Sequence, residues 1–178
     1  MTDWRADVLK FWFGLDPGQW WRPDPALDAQ IRERFLDTWT DRRRLPTGHF
    51  LDHPLTALAA VILFDQFPRN MFRGHADQFS TDHLALAVAG GAVEAKLDDQ
   101  LEPQERGFLY MPFQHSESLA DQKRSLGLFT ALGDDFMLGY ARKHHDVIER
   151  FGRFPHRNAV LGRAPRPDEL AAGEPTPF

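Results

Sequence analysis

Apolar residues recur along this chain with the spacing of an α-helix. Near the start, Trp4, Val8, Phe11 and Trp12 fall on one helical face. Similar stripes predict helices over residues 3–13, 25–41, 53–67, 81–95, 103–110, 116–132 and 134–151, with short helical turns at 158–162 and 167–171. No segment alternates between apolar and polar residues for long enough to predict a β-strand. The pattern therefore predicts an all-α fold of antiparallel helix pairs.

Residues that favour helix ends mark the boundaries between these segments. Aspartate, serine and threonine side chains accept hydrogen bonds from the first free N–H groups of a helix. We therefore expect N-caps at Asp24, Asp52, Thr81, Ser116 and Asp134. Proline disfavours the helical conformation of the residue before it, so helices are expected to end before Pro68 and Pro112.

One short motif occurs twice in the chain. FDQFPRN spans residues 64–70, and FGRFPHRN spans residues 151–158. The structural interpretation is that each copy ends a helix, because proline stops it and the phenylalanines anchor the exit in the core. Under the functional interpretation, the two turns present Arg-Asn into a shared cavity. Duplication of two halves is left open, since the flanking sequences do not match.

Polar residues gather near three helix ends where apolar side chains would be expected. The first polar cluster contains Asp65, Gln66, Arg69, Asn70 and Arg73. The second contains Tyr110, His115, Ser116, Glu117 and Gln122, and the third contains His144, Arg153, His156, Arg157 and Asn158. A buried carboxylate needs a partner, so Asp65 is expected to pair with Arg69 or Arg73. Structural clamps explain each cluster alone, whereas one shared cleft explains all three together.

Two adjacent histidines differ in helical phase. His144 falls on the apolar stripe that includes Tyr140 and Val147, so we expect it to be buried and hydrogen-bonded. His145 falls off that stripe, so we expect it to be exposed and close to Glu149.

Composition narrows the class of protein. The absence of cysteine excludes disulfides, thiolate metal sites and cysteine nucleophiles. The formal net charge of −5 argues against general nucleic-acid binding. The longest apolar run, residues 55–64, is too short for a bilayer, which needs about 20 helical residues. The first residues lack a signal-peptide pattern. These features favour a cytoplasmic protein of 178 residues in a single domain, residues 1–178, without membrane or nucleic-acid partners.

These motifs resemble a bacterial family of unknown function, DUF924. The matching stretches are VLKFWFG (8–14), FDQFPRNMFRG (64–74), STDHLALAVA (80–89), ERGFLYMPFQHSESLADQ (105–122) and HHDVIERFGRFPHRNAVLGR (144–163). The resemblance implies an all-helical, tetratricopeptide-like stack with a right-handed superhelical path. It implies no activity. The family pattern includes the polar residues of all three clusters, with the exception of Ser116.

The leading hypothesis is a protein or enzyme that binds a small anionic molecule in a cleft between helix ends. The planar guanidinium fork suits carboxylates and phosphates, and histidine titrates near neutral pH. The catalytic candidates are His115, Glu117 and His156. The ligand-binding candidates are Asp65, Gln66, Arg69, Asn70, Arg73, Tyr110, Gln122, His144, Arg153, Arg157 and Asn158.

The alternative is a helical module that binds proteins or peptides without catalysis. Such stacks offer a concave groove, although the period of about 34 residues that marks tetratricopeptide repeats is missing. No metal site is predicted, because the chain has no HExxH motif and no Glu-x-x-His pair. No cofactor is predicted either, since no phosphate-loop or dinucleotide fingerprint occurs. The ligand, the reaction and the oligomeric state are left open.

Overall fold

The computed structural model describes residues 3–173, and all regular secondary structure in that range is helical. The all-α prediction is therefore confirmed for the described residues. The α-helices are α1 (Trp4–Phe13), α2 (Pro25–Arg42), α3 (Pro54–Val61), α4 (Phe67–Met71), α5 (Asp82–Glu94), α6 (Pro103–His115), α7 (Leu119–Leu132), α8 (Asp135–Phe151) and α9 (Pro167–Ala171). Within this part of the chain, no helix is both long enough and apolar enough to cross a membrane.

The chain divides into two compact units, Met1–Pro112 and Phe113–Phe178. The first unit contains α1 to α5 and most of α6. The second contains the last residues of α6, followed by α7 to α9. That the whole chain forms one domain stays a prediction.

Helix N-termini follow the capping rules in most places. Asp24 and Asp134 cap α2 and α8, as expected, by accepting hydrogen bonds from N–H groups of the first turn. The cap expected at Asp52 is wrong. His53 caps α3 instead, because its Nδ1 accepts the N–H of Leu55 at 3.1 Å.

The cap of α7 also lies two residues beyond the expected one. Ser118 occupies the N-cap position, and its side chain accepts the N–H of Asp121. Ser116 was expected there, but its hydroxyl donates to the Asp121 carboxylate at 2.6 Å. The helix therefore begins at Leu119, and residues 116–118 form a separate turn.

The helix that begins at Pro54 continues past Pro68, so the expected end at Phe67 was wrong. It passes through a π-helical segment, Ile62–Gln66, in which the N–H of Phe67 donates to the Ile62 carbonyl five residues earlier. Pro68 has no N–H to offer the carbonyl of Phe64, which lies four residues before it. The Thr81 hydroxyl donates to that carbonyl instead, at 2.7 Å. A distant side chain thus replaces the hydrogen bond that proline removes.

The two copies of the Phe-Pro motif have different backbones. The first lies within the continuous helix just described, so the expectation that it ends a helix is wrong. The second follows the end of α8, as expected, because Gly152 adopts a left-handed conformation with φ 68° and a 3₁₀ turn, Pro155–Arg157, comes next. Pro112 behaves like Pro68, because it lies inside α6 rather than after its end.

Aromatic rings form the core of the first unit. The Phe35 ring lies 4.6 Å from that of Phe67 and 5.2 Å from that of Phe11, measured between centroids. Each such buried side chain contributes about 1.5–3 kcal/mol relative to exposure. These contacts join α1, α2 and α4, and so they fix the position of the first polar cluster.

A pair of helices forms the core of the second unit. α7 packs against α8. Phe129 on α7 and both Ala141 and Ile148 on α8 are buried. The stripe that contains Ala141 and Ile148 also carries His144 into the interior. Helical phase therefore explains how an imidazole comes to lie in this core.

We predict that Thr81→Val lowers the free energy of unfolding by about 2 kcal/mol or more. Valine keeps the shape of threonine but leaves the buried Phe64 carbonyl without its donor and the Trp39 Nε1–H without its acceptor. Urea denaturation of the wild-type protein and the variant measures the difference. Thr130→Val, at an exposed position on α7, is the matched control. Equal losses for the two variants would contradict the role given to Thr81.

Candidate functional site

The first polar cluster lies in the first unit and contains a buried ion pair. Asp65 is fully buried, and its Oδ1 lies 3.3 Å from Arg69 Nη1, which confirms the predicted pairing. Arg69 also donates to both carboxylate oxygens of Asp82, at 2.9 and 3.0 Å. Burial alone would lower the pKa of Arg69, but the two carboxylates outweigh burial and raise it. Gln66 completes the cluster by donating to Asp65.

The other members of this cluster bind a carboxylate on a different helix. Arg73 donates to both oxygens of Asp28 on α2, at 2.6 and 2.9 Å. Asn70 donates to the same carboxylate at 2.7 Å. The pair of side chains therefore joins α4 to α2. This arrangement favours the structural-clamp interpretation of the first cluster.

Tyr110 lies in the first unit as well, although the sequence grouped it with His115. Its hydroxyl donates to the buried carboxylate of Asp98. Burial and this carboxylate both raise the pKa of Tyr110. Within the first unit, Tyr110 thus holds the short segment that precedes α6.

The second and third polar clusters meet in the second unit, around Phe154. This ring is fully buried, with the guanidinium carbon of Arg157 4.5 Å from its centroid. The imidazoles of His144 and His156 lie 5.6 and 5.5 Å from the same ring. His115 lies 5.9 Å from His144. We call His115, His144, His156 and Arg157 the imidazole cluster.

Three elements bring the imidazole cluster together. His115 is the last residue of α6, and His144 lies on the buried face of α8. The left-handed turn at Gly152 reverses the chain after α8, so that the 3₁₀ turn carries His156 and Arg157 back beside Phe154. Arg157 Nη2 donates to the His115 carbonyl at 3.1 Å. The end of α6 is thus tied directly to the second Phe-Pro motif.

His144 is buried and hydrogen-bonded, as predicted. Its Nδ1 lies 2.8 Å from the carbonyl of Tyr140. A carbonyl only accepts, so Nδ1 carries the proton and Nε2 carries the lone pair. His145 was expected to be exposed, but its side chain is only 14% exposed, and its Nδ1 lies 3.4 Å from Asp146 rather than beside Glu149.

Glu117 and Arg163 clamp the backbone of Phe154. Glu117 accepts the Phe154 N–H at 2.7 Å and two guanidinium N–H groups of Arg163 at 2.8 and 3.0 Å. Arg163 Nη2 in turn donates to the Phe154 carbonyl at 2.9 Å. Burial alone would raise the pKa of Glu117, but the hydrogen bonds from Arg163 and Phe154 outweigh it and lower the pKa. Glu117 is therefore a bound carboxylate rather than a group ready to exchange protons.

A second ion pair extends this network. Arg153 donates to both oxygens of Glu169 on α9, at 2.6 and 2.9 Å, and Asn158 donates to the same carboxylate at 2.8 Å. Arg163 Nε donates to the Asn158 oxygen at 3.0 Å and so connects the two pairs. The hydrogen bond from Arg153 is the largest cause that lowers the pKa of Glu169 to about 2. Arg163 and Glu169 were not predicted as site residues, because nothing in their local sequence identifies their partners.

Gln122 has a local structural role. Its Nε2 donates to the carbonyls of Gln114 and Ser116, each at 2.7 Å. With the bond from Arg157 to the His115 carbonyl, three successive carbonyls at the end of α6 have side-chain donors. Such carbonyls have no partner within their own helix. Gln122 is thus a capping residue of α6.

Guanidinium groups lie close to two imidazoles of the cluster. In addition to burial, Arg157 lowers the pKa of both His144 and His156, and Arg163 lowers that of His156, whereas Glu117 raises it. Burial and then the neighbouring His115 lower the pKa of His144 to about 3. Burial and then Arg157 lower the pKa of His156 to about 4. Both imidazoles are therefore neutral at pH 7.

Comparison with known proteins agrees with the resemblance noted in the sequence. A family model described as "Bacterial protein of unknown function (DUF924)" matches residues 8–172. The chain belongs to this family. The chain is similar to a solved structure, that of the protein of unknown function ATU0120 from Agrobacterium tumefaciens, with 38% identity, coverage of 96% of each chain and a TM-score of 0.89. No curated protein matches the chain. DUF924 membership therefore establishes the family and the helical fold but no activity.

We predict that Asp65→Ala lowers the free energy of unfolding by about 3 kcal/mol. The substitution removes one of the two carboxylates that pair with the Arg69 guanidinium and leaves Asp82 as the other. The exposed Asp37→Ala on α2 is the control and should change stability little. Thermal and urea denaturation measure both variants. A loss no larger than that of the control would show that the buried pair does not stabilise the first unit.

The lowered pKa values of His144 and His156 predict that stability falls on acidification. The ordinary pKa of histidine is about 6.5. Between that pH and about 4, the unfolded chain therefore binds protons that the native protein does not. Stability is present above pH 6.5 and is lost at about 1.4 kcal/mol per pH unit for each fully buried imidazole.

Urea denaturation at pH 7 and pH 5 measures this slope. His144→Asn should flatten the slope, because the asparagine amide keeps the hydrogen bond to the Tyr140 carbonyl but does not titrate. The exposed His83→Asn on α5 should leave the slope unchanged. A slope that is the same in all three proteins would contradict the assignment.

Proposed function

We propose that this protein binds a small anionic ligand at the imidazole cluster of its second unit. The observation that carries the proposal is the position of Arg157, His144 and His156 around one buried ring, with His115 beside His144. A guanidinium beside low-dielectric protein attracts an anion more strongly than the same group does in water.

The chemistry of the cluster suits such a ligand. His115 and His156 are partly exposed, whereas Arg157 and His144 are buried. A neutral imidazole donates one N–H, and a guanidinium donates up to five in a fixed plane. The ligand would therefore meet imidazole donors near the surface and the charged donor deeper in. Arginine is well suited to carboxylate and phosphate oxygens because of its bidentate geometry.

The catalytic candidates differ in the hydrogen bonds that they form. In this proposal, His115 and His156 are the groups placed to exchange protons with a ligand. Glu117 is a positioning residue, because both of its oxygens hold Arg163 and the Phe154 backbone. Loss of Glu117 would act through the position of the second Phe-Pro motif rather than through proton transfer.

In this proposal, the first polar cluster is a structural clamp. Asp28, Asp65 and Asp82 supply carboxylates for its arginines. Its convergence with the other two clusters in one cleft stays a prediction. The tetratricopeptide-like stacking of the helices and the cytoplasmic location also stay predictions.

We expect Arg157→Lys to weaken the binding of inorganic phosphate about tenfold, because lysine keeps the charge but loses the planar fork. Isothermal titration calorimetry with phosphate measures the wild-type protein and the variant. Arg150→Lys, at an exposed position near the end of α8, is the control and should bind as the wild type does. Circular dichroism checks that each variant remains helical.

Two outcomes would overturn the proposal. In one, phosphate, acetate and amino acids all fail to bind the wild-type protein at millimolar concentrations. In the other, Arg157→Lys and Arg150→Lys weaken binding equally. Either result would favour the alternative, a helical module that binds proteins or peptides.

A further inference from the structure

A cavity of about 450 Å³ in the first unit is lined by residues of α1 and α2. Trp4 and Asp7 line it from α1, and Arg34, Thr38 and Arg42 line it from successive turns of α2. Its volume falls within the range of about 300–1,000 Å³ that is typical of small-molecule sites. The imidazole cluster lies in the second unit, so a ligand in this cavity would be separate from the proposed function.

The two arginines of this cavity contact aromatic rings rather than carboxylates. Arg34 Cζ lies 4.7 Å from the ring centroid of Phe11 and 5.2 Å from that of Phe35. Arg42 Cζ lies 5.3 Å from the ring centroid of Trp4. Among the described residues, neither guanidinium forms an ion pair or a side-chain hydrogen bond. A cation–π contact positions a guanidinium without using its N–H donors, so both groups keep these donors for a ligand.

Three carboxylates line the same cavity. They belong to Asp7 on α1 and to Asp37 and Asp41 on α2. In the part of the chain that the structure describes, their side chains form no ion pair and no hydrogen bond. An exposed ion pair gains little free energy, which explains why these carboxylates do not bind the neighbouring guanidinium groups directly. Groups of both signs are therefore available to a ligand that carries both signs itself.

The order of charges along α2 matches the order of charges in an amino acid with a cationic side chain. Asp41 and Arg42 are neighbours that both line the cavity, just as an ammonium group and a carboxylate are neighbours on an α-carbon. Asp37 lies one helical turn before Asp41, about 6 Å along the axis. The side chains of free lysine and arginine span a similar distance. The rings of Trp4 and Phe35 offer apolar surface to the methylene groups of such a side chain.

The net charge of the lining agrees with this class of ligand. The cavity is lined by two guanidinium groups, those of Arg34 and Arg42, and by the three carboxylates, so its lining carries one net negative charge. A free amino acid with a cationic side chain carries one net positive charge and would balance it. Arg34 would repel a cation beside Asp37, but Asp7 supplies a further carboxylate in the same cavity.

We propose that this cavity binds a free amino acid with a cationic side chain. Arg42 binds the carboxylate of the ligand through its guanidinium fork. Asp41 binds the α-ammonium group, and Asp37 binds the cation at the end of the side chain. The proposal does not depend on the imidazole cluster, and its measurements are separate from those of the proposed function.

Three related compounds test which charges of the ligand are recognised. Citrulline replaces the guanidinium group of L-arginine with a neutral group of the same shape, and agmatine lacks the carboxylate. Isothermal titration calorimetry with the full chain at low ionic strength measures all three. We expect L-arginine to bind at least about tenfold more tightly than citrulline or agmatine, because each of these loses one charge-assisted contact.

Variants of the cavity connect each charge of the ligand to one side chain. Arg42→Gln should weaken the binding of L-arginine about tenfold without weakening that of agmatine, which has no carboxylate to lose. Asp37→Asn should weaken the binding of L-arginine and agmatine but not that of citrulline. Arg44→Gln and Glu33→Gln, at exposed positions outside the cavity, are the matched controls and should bind L-arginine as the wild type does. Circular dichroism checks that each variant remains helical.

Several outcomes would overturn the inference. It is wrong if L-arginine fails to bind at millimolar concentrations, or if citrulline or agmatine binds as tightly as L-arginine. It is also wrong if Arg42→Gln loses no more affinity for L-arginine than Arg44→Gln does. Arg157→Lys, in the second unit, should leave the affinity for L-arginine unchanged. A loss of affinity in that variant would mean that L-arginine binds at the imidazole cluster rather than in this cavity.

Discussion

The peptide unit at Phe154 is held by one ion pair, and the polar centre of the second unit depends on that pair. Glu117 accepts the N–H of Phe154, and Arg163 donates to its carbonyl while binding Glu117. Backbone N–H and carbonyl groups in and beside a short 3₁₀ turn have few backbone partners, so side chains must form hydrogen bonds with them. Because the clamp fixes the Phe154 backbone, it also fixes the ring that His144, His156 and Arg157 surround.

Both units contain arginine–carboxylate ion pairs, but these pairs have different roles in the two units. In the first unit, Asp65 and Asp82 bind Arg69, while Asp28 binds Arg73. Each of these arginines has at least one carboxylate partner, and the ion pairs between Arg73 and Asp28 and between Arg69 and Asp82 join neighbouring helices. In the second unit, Arg157 and two imidazoles lie around the Phe154 ring. Two imidazoles there have lowered pKa values, which is the response expected of bases in a buried, positive environment.

Local sequence rules predicted those elements whose partners lie nearby in the chain. α2 and α8 have regular apolar stripes, and their caps, Asp24 and Asp134, are immediate neighbours. The burial of His144 was predicted correctly, but the stripe from which it was predicted was wrong. Tyr140 and Val147 are only half-buried, and the buried face of α8 contains Ala141, His144 and Ile148. Local rules failed at Pro68, because the replacement donor Thr81 comes from another helix end.

The candidate site was predicted only in part, for a related reason. Helix-end positions identified His115, His144, His156 and Arg157. The partner of Glu117, however, lies 46 residues away, and that of Arg153 lies 16 residues away on a short helix. Because burying an unpaired charge costs free energy, each buried arginine is expected to have a partner. The sequence does not show which acidic residue is that partner. The three-dimensional path of the chain decides that choice.

The π segment also changes the way in which side chains are displayed along its helix. A regular helix turns by about 100° per residue, so one stripe of positions faces the core throughout. The π turn at Ile62–Gln66 widens one turn of that helix, and the positions that follow are rotated relative to those before it. One wheel projection drawn through Pro54–Val61 and Phe67–Met71 therefore assigns the later residues to the wrong side. The same offset lets a single continuous helix present a mostly apolar surface first and then Arg69, Asn70 and Arg73 to acidic partners in the first unit.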